Sequence, residues 1–211
     1  MAKRRRGRSG DGGSREWIFR AACREFAGRG FAGANVDRIA AAAGVNKAMI
    51  YYHFKSKAAL YREILNDMFV AVAARLDAMA SAHTTPEGKI RAFVEAIARE
   101  AEARPHFPPI WFREIAEGGT HLELATMKIV GGIVQRLAAM IREGIDAGRF
   151  KPVDPLLVHA GIVAPVLLYY ASGDLRKRLT RAGVARADSF GSDDVIAHVQ
   201  RVTLGTLEGK M

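Results

Sequence analysis

The stretch from Asn35 to Phe54 constrains this chain more than any other. Val36, Ile39, Ala40 and Ala43 recur at i, i+3, i+4 and i+7, the spacing of one helix face. Asn35 is a good N-cap, and Gly44 stops the helix in the left-handed conformation that glycine adopts cheaply. Asn46 caps a second short helix, with Val45, Ile50 and Phe54 turning its apolar side inward. Two short helices around a tight Ala43-Gly44-Val45 turn are the layout of a helix-turn-helix. Where that motif binds DNA, its second helix enters the major groove. With Ile50 inward, the helix Asn46–His53 presents Lys47, Ala48, Tyr51 and Tyr52 on its outer face. Small Ala48 permits close approach to a duplex. Lys47, Tyr51, Tyr52 and His53 carry donors suited to phosphates or base edges. Lys55 and Lys57 sit at the next helix start, where free N–H groups also favour phosphate. Spacing alone leaves a second reading open, because the same geometry occurs in proteins that never touch DNA. There Tyr52 would be a core ring and His53 a helix-end residue satisfied by backbone.

Charge bears on that choice. The chain has a net charge of +10, and its first 57 residues hold 13 Lys/Arg against 4 Asp/Glu. The remainder is nearly balanced, with 19 against 18. A basic block on a neutral body points to a polyanionic partner for that block. The block begins with MAKRRRGRSGDGG, read as a flexible basic arm over residues 1–13. Its Lys3–Arg8 run could track phosphates or enter a minor groove, or serve as a solvated tail.

The rest of the chain is helical in pattern, and the expected fold is all-α with about nine helices. Ser14 is placed to cap a first helix through Ile18, Ala22 and Phe26, ending at Gly28-Arg29-Gly30. Ser56 caps a long helix to about Ala80. Pro86 suits a first helical position. Pro105, Pro108 and Pro109 bend the chain before Ile110–Ala116. Gly118-Gly119 precede a helix over about Thr120–Ala147. Asp154-Pro155 open the most apolar segment, which runs to Ala171 and is shorter than the roughly 20 residues that span a bilayer. A basic connection over Gly173–Gly191 leads to a last helix capped by Ser192. The expected division is an arm (1–13), a DNA-binding domain (14–60) and a helical regulatory domain (61–211). One cysteine, Cys23, excludes an intrachain disulfide. With no apolar run after the basic start, a cytoplasmic protein without membrane attachment is expected.

The residues then become more specific. Phe26-Ala27-Gly28-Arg29-Gly30-Phe31, Val36-Asp37-Arg38-Ile39-Ala40, Ala43-Gly44-Val45-Asn46-Lys47 and Tyr51-Tyr52-His53-Phe54-Lys55-Ser56-Lys57 follow one another without a gap. The stretch Trp17–Leu65 resembles the amino-terminal domain of the tetracycline-repressor (TetR) family. That resemblance implies three amino-terminal helices on operator DNA, with contacts at Val36, Asn46, Lys47, Ala48, Tyr51, Tyr52, His53 and Lys57. Asn46 and Ala48 stand where the family often has Ser or Thr and Gly, so base preference is expected to differ. The resemblance also implies a helical carboxy-terminal domain that dimerises and binds a small molecule. No cofactor is expected.

Catalysis finds little footing. Gly28-Arg29-Gly30-Phe31-Ala32-Gly33 matches G-x-G-x-x-G, but a dinucleotide site needs a preceding strand and a following helix. Here a helix precedes it. None of the six histidines pairs with another His or with Cys at metal-ligand spacing, so no metal is expected. Glu114 and Glu117 lie three apart and are read as solvated or paired to Arg113. No G-x-S-x-G elbow is present. A transcriptional regulator, not an enzyme, is the expectation.

For the regulatory half, Leu156–Ala171 is apolar on nearly all sides. Burial against a second copy or within the chain would explain that. The expected dimer-interface residues are Ile162, Val166, Tyr169, Val195, Val199 and Val202. Effector candidates are His106, Phe107, Trp111, Met127, Val130, Val134 and Tyr170, an aromatic and aliphatic set that suits an apolar or aromatic small molecule. The expected partners are a double-stranded DNA operator, a second copy and that effector. The alternative is a nucleoid-type protein that binds DNA without sequence preference or ligand.

Overall fold

The computed structural model describes residues 11–186 and 189–210; the arm at Lys3–Arg8 lies outside them. Among the described residues there are ten helices and no strand. They are α1 (Asp11–Gly33), α2 (Val36–Ala43), α3 (Lys47–Phe54), α4 (Lys57–Ala80), α5 (Pro86–Ala103), α6 (Phe107–Ala116), α7 (Leu124–Asp146), α8 (Pro155–Ala171), α9 (Gly173–Arg181) and α10 (Ser192–Glu208). The chain divides into two compact units. One comprises the residues up to 66 together with 109–122; the other comprises 67–108 and the residues from 123 onward. Most of α6 and the turn after it therefore belong with the amino-terminal helices. The sequence pattern, with its one boundary near residue 60, does not suggest this.

In the first unit, α1 packs on α2 and α3. Ile18, Ala22, Phe26, Ile39, Ile50, Leu60 and Ile64 form its core. α1 bends at Gly30, whose φ of 69° is a left-handed value suited to glycine. The helix begins earlier than Ser14, so Ser14 is not an N-cap. Its hydroxyl instead hydrogen-bonds the His53 ring at 2.8 Å. Ser56 does cap α4, accepting the Ala59 N–H at 3.0 Å.

In the second unit, α5 is the central helix, packed against α7, α8 and α10. Ile90, Phe93, Val94, Ile97 and Ala101 are buried along it. Thr85 caps it through the Gly88 N–H, with Pro86 at the start. Its one buried carboxylate, Glu100, receives Arg75 at 2.6 Å and also Arg104, so the buried charge is matched. Asp154 caps α8 through the N–H groups of Leu156 and Leu157. α10 opens after Gly191, while Ser192 bonds the Tyr170 hydroxyl at 2.6 Å.

Candidate nucleic-acid interface

The first unit holds its two short helices by local chemistry. The Asn35 side chain accepts the Asp37 N–H at 2.7 Å, and Asn46 accepts the Met49 N–H at 3.0 Å. Gly44, at φ 68°, takes up α2's last carbonyls, and the Val45 N–H reaches back to the Ala40 carbonyl at 3.0 Å. Ile50 and Phe54 anchor α3 from below. Glu25 of α1 accepts the Asn35 N–H at 3.1 Å and Arg38 Nε at 2.7 Å, which fixes the start of α2.

What α3 leaves outward is polar and aromatic. Lys47 and Ala48 are exposed, Tyr51 is 45% exposed and Tyr52 70%. Asn46 and Lys55 are exposed as well. Lys47 pairs with Asp37 at 3.0 Å, and that hydrogen bond raises its pKa. Lys55 is the one described non-glycine residue with positive φ, at 66°. The Ser56 N–H turns back to the Phe54 carbonyl at 2.7 Å across it, a tight turn that is uncommon for a side chain-bearing residue.

Three residues expected at the interface are committed inward. Val36 is buried as the first residue of α2. His53 is half-buried with its ring on Ser14. Lys57 donates to the carbonyls of Phe31 at 2.8 Å and Ala34 at 3.1 Å, with its ammonium 4.5 Å from the Phe31 ring centroid. These side chains shape the surface from beneath, whereas Lys47, Ala48, Tyr51, Tyr52 and Lys55 are the surface.

Comparison with known proteins places the chain in a family. Residues 18–64 match the family model described as bacterial regulatory proteins, tetR family. Residues 65–202 match the carboxy-terminal region of YcdC-like proteins. The chain belongs to the tetR family. It is 25% identical to the HTH-type transcriptional repressor NicS of Pseudomonas putida, over 90% of this chain and 91% of that protein. It is 32% identical to the HTH-type transcriptional repressor SCO4008 of Streptomyces coelicolor, over 72% of this chain and 71% of that protein. The solved structure of the fatty acid degradation regulator FadR from Bacillus halodurans shares the fold, with a TM-score of 0.73 at 20% identity over 94% and 97% of the two chains. This tetR-family chain is a DNA-binding transcriptional regulator, and α2–α3 is its helix-turn-helix. Gly28–Gly33 is the end of α1, not the opening of a nucleotide site.

Of the effector candidates, Phe107 is buried edge-to-face on Phe69, with ring centroids 5.9 Å apart. Val130 and Val134 are half-buried on α7, and Met127 is 46% exposed. Tyr170 is held by Ser192, and Trp111 belongs to the first unit. The His106 ring has a buried Nε2 without a hydrogen-bond partner, and burial foremost, then Arg104, lowers its pKa. Of the expected dimer residues, Ile162, Val166 and Val199 are buried within the chain, Tyr169 and Val195 are half-buried, and Val202 is 38% exposed. The outward stripe of α8 is instead Leu157, Gly161, Ala164, Pro165 and Leu168.

The first unit also assembles a group that sequence reasoning left apart. Glu114 is fully buried and is not paired to Arg113, whose guanidinium turns to α1's carbonyls. Its carboxylate instead meets Tyr61, His121 and, through the His121 ring, Glu117. The Glu-x-x-Glu-x-x-x-His spacing was the available signal.

Proposed function

We propose that the protein is a homodimeric cytoplasmic repressor that grips a palindromic operator with α3 of each copy and lets go when a small apolar or aromatic molecule binds its second unit. The observation that carries this reading is the outer face of α3. Tyr51 and Tyr52 stand exposed beside Lys47 and Ala48, on a helix whose caps and buried anchors are complete without them. Exposed aromatic hydroxyls and a lysine over a small residue suit phosphates and base edges in a major groove. Two relatives named as repressors support the direction of control.

The dimer reading rests on α8 and α10. Leu157 is 74% exposed and Leu168 59%, on a helix that is otherwise apolar. A groove of about 640 Å³ between α8 and α10, lined by Pro165, Leu168, Tyr169, Phe190 and Val195, continues that face. A second copy covering it removes the apolar stripe from water. The paired α3 helices then sit one DNA turn, about 34–36 Å, or a multiple of it, apart.

The effector reading rests on His106, a buried polar atom that a hydrogen-bonding group on an otherwise apolar molecule would satisfy. An effector that prefers a different α3 spacing lowers operator affinity by its differential binding, and DNA lowers effector affinity equally. The deciding experiment is a titration of palindromic upstream DNA against scrambled DNA at moderate salt. Strong preference for the palindrome is expected. A ratio near one favours a nucleoid-type protein instead.

A further inference from the structure

The geometry points to a divalent-cation site of the zinc class in the DNA-binding unit, formed by Glu114, Glu117 and His121. Their ligand atoms all lie within 4.8 Å of one another. His121 Nδ1 is 3.1 Å from Glu114 Oε2 and 3.8 Å from Glu117 Oε2. Ligands held at about 2.0–2.1 Å from zinc lie roughly 2.9–3.4 Å apart at angles between square and tetrahedral. The 3.1 Å separation falls inside that range and the 3.8 Å one beyond it, so an inward closure of the half-exposed Glu117 side chain is what completes three ligands. Imidazole with carboxylates suits zinc and its neighbours better than magnesium or calcium, which favour all-oxygen sets.

Charge gives an independent reason. The Glu114 carboxylate is fully buried, and among the described residues no lysine or arginine is ion-paired to it or to Glu117. Arg113, its sequence neighbour, donates to the carbonyls of Phe26, Ala27 and Gly28. Two carboxylates therefore share one imidazole, and among the described residues no cationic side chain closes on them. Buried charge of this kind is paired or coordinates a metal.

The surroundings orient the ligands as a metal's outer partners do. The Tyr61 hydroxyl donates to Glu114 Oε2 at 3.1 Å, and the His121 N–H donates to Glu114 Oε1 at 2.7 Å. The His121 ring is fixed between Phe31 and Tyr61, with ring centroids 4.2 and 5.1 Å away. Phe31 lies in the last turn of α1, Tyr61 lies on α4 and the ligands lie on α6 and its following turn. Occupancy therefore stiffens the unit that carries the helix-turn-helix. This site is separate from the effector reading, whose residues other than Trp111 lie in the second unit.

The test is calorimetric titration of the full chain with Zn²⁺ at pH 7.5, alongside Glu117→Gln and His121→Asn, with Co²⁺ absorption as a second readout. One ion per chain is expected at micromolar concentration or below. Glu117 is 42% exposed as a side chain, so Glu117→Gln is expected to keep the circular dichroism of the parent and to weaken uptake at least tenfold. His121→Asn should abolish both the heat and the Co²⁺ ligand-field bands. No uptake at micromolar Zn²⁺ means the group is a His–Glu ion pair only and overturns the site. Uptake that both variants leave unchanged places the ion elsewhere and overturns it equally.

Discussion

Replacing Arg113 with alanine should loosen the DNA-binding unit without touching its surface. Arg113 reaches from α6 to the end of α1, donating to the carbonyls of Phe26 at 3.1 Å and Gly28 at 3.3 Å and also to that of Ala27. These carbonyls precede the bend at Gly30, where helical partners run out. Hydrogen bonds from a charged donor contribute about 1.5–3 kcal/mol each when buried. Arg113 is half-buried, so about 1 kcal/mol each is the reasonable figure, or about 3 kcal/mol together. In a chain of this size that corresponds to a melting shift of roughly 6–12 °C. The assay can be specific to the unit. Trp17 and Trp111 are the chain's two tryptophans, and both lie in the first unit. Thermal unfolding followed by tryptophan fluorescence therefore reports this unit. Arg113→Lys keeps the charge but loses the fork, and should recover less than half of the loss. A shift under about 2 °C for Arg113→Ala would refute the argument that this arginine caps α1.

Tyr52 is 70% exposed, so Tyr52→Ala should leave the melting temperature within about 1 °C and weaken operator binding about tenfold; equal affinity in a mobility-shift titration would remove Tyr52 from the interface. Asp37 holds Lys47 at 3.0 Å beside the DNA face, so Asp37→Asn should free the ammonium, tighten binding to specific and scrambled DNA alike, and steepen the salt dependence by about one ion. An unchanged slope places Lys47 away from phosphate. Burial lowers the pKa of His159, and burial with Arg104 lowers that of His106. The unfolded chain then takes up protons first as pH falls below about 6.5. Their contribution is whole above that value and is lost on descending through it, so the melting temperature should fall between pH 7.5 and 5.5. The double variant His106→Gln/His159→Gln should flatten that fall, and a fall of undiminished size would assign it to other groups.

The helix-turn-helix was legible because its determinants are local. Asn35, Gly44 and Asn46 act on residues two to four positions away, and the inward phase of Ile39 and Ile50 follows from helical period alone. What the sequence hid depends on partners far along the chain. Lys57 looks like a phosphate ligand until the Phe31 and Ala34 carbonyls come within reach of it. His53 meets Ser14 across 39 positions, and Tyr61 meets Glu114 across 53. The outward face of α8 was hidden for another reason. A helix apolar on nearly every side has no phase to read, so which of Ile162 and Leu168 faces the core is settled by the neighbours, here in favour of Ile162.

The glycine-rich stretch Gly28–Gly33 shows why pattern and chemistry must be separated. In a dinucleotide site such a run precedes a helix, and the phosphate meets free N–H groups at the positive end of the helix dipole. In this protein the run closes a helix, so the groups left over are carbonyls at the negative end. Their partners follow that sign. The Arg113 guanidinium serves the Phe26, Ala27 and Gly28 carbonyls, and the Lys57 ammonium serves those of Phe31 and Ala34. A phosphate placed there would meet carbonyl oxygens and would have to displace two cations from them. The same two cations tie α6 and the start of α4 to the corner from which α2 departs. The motif that looked like a ligand cradle is thus a helix end held by cations, and it works by fixing the entry into the helix-turn-helix.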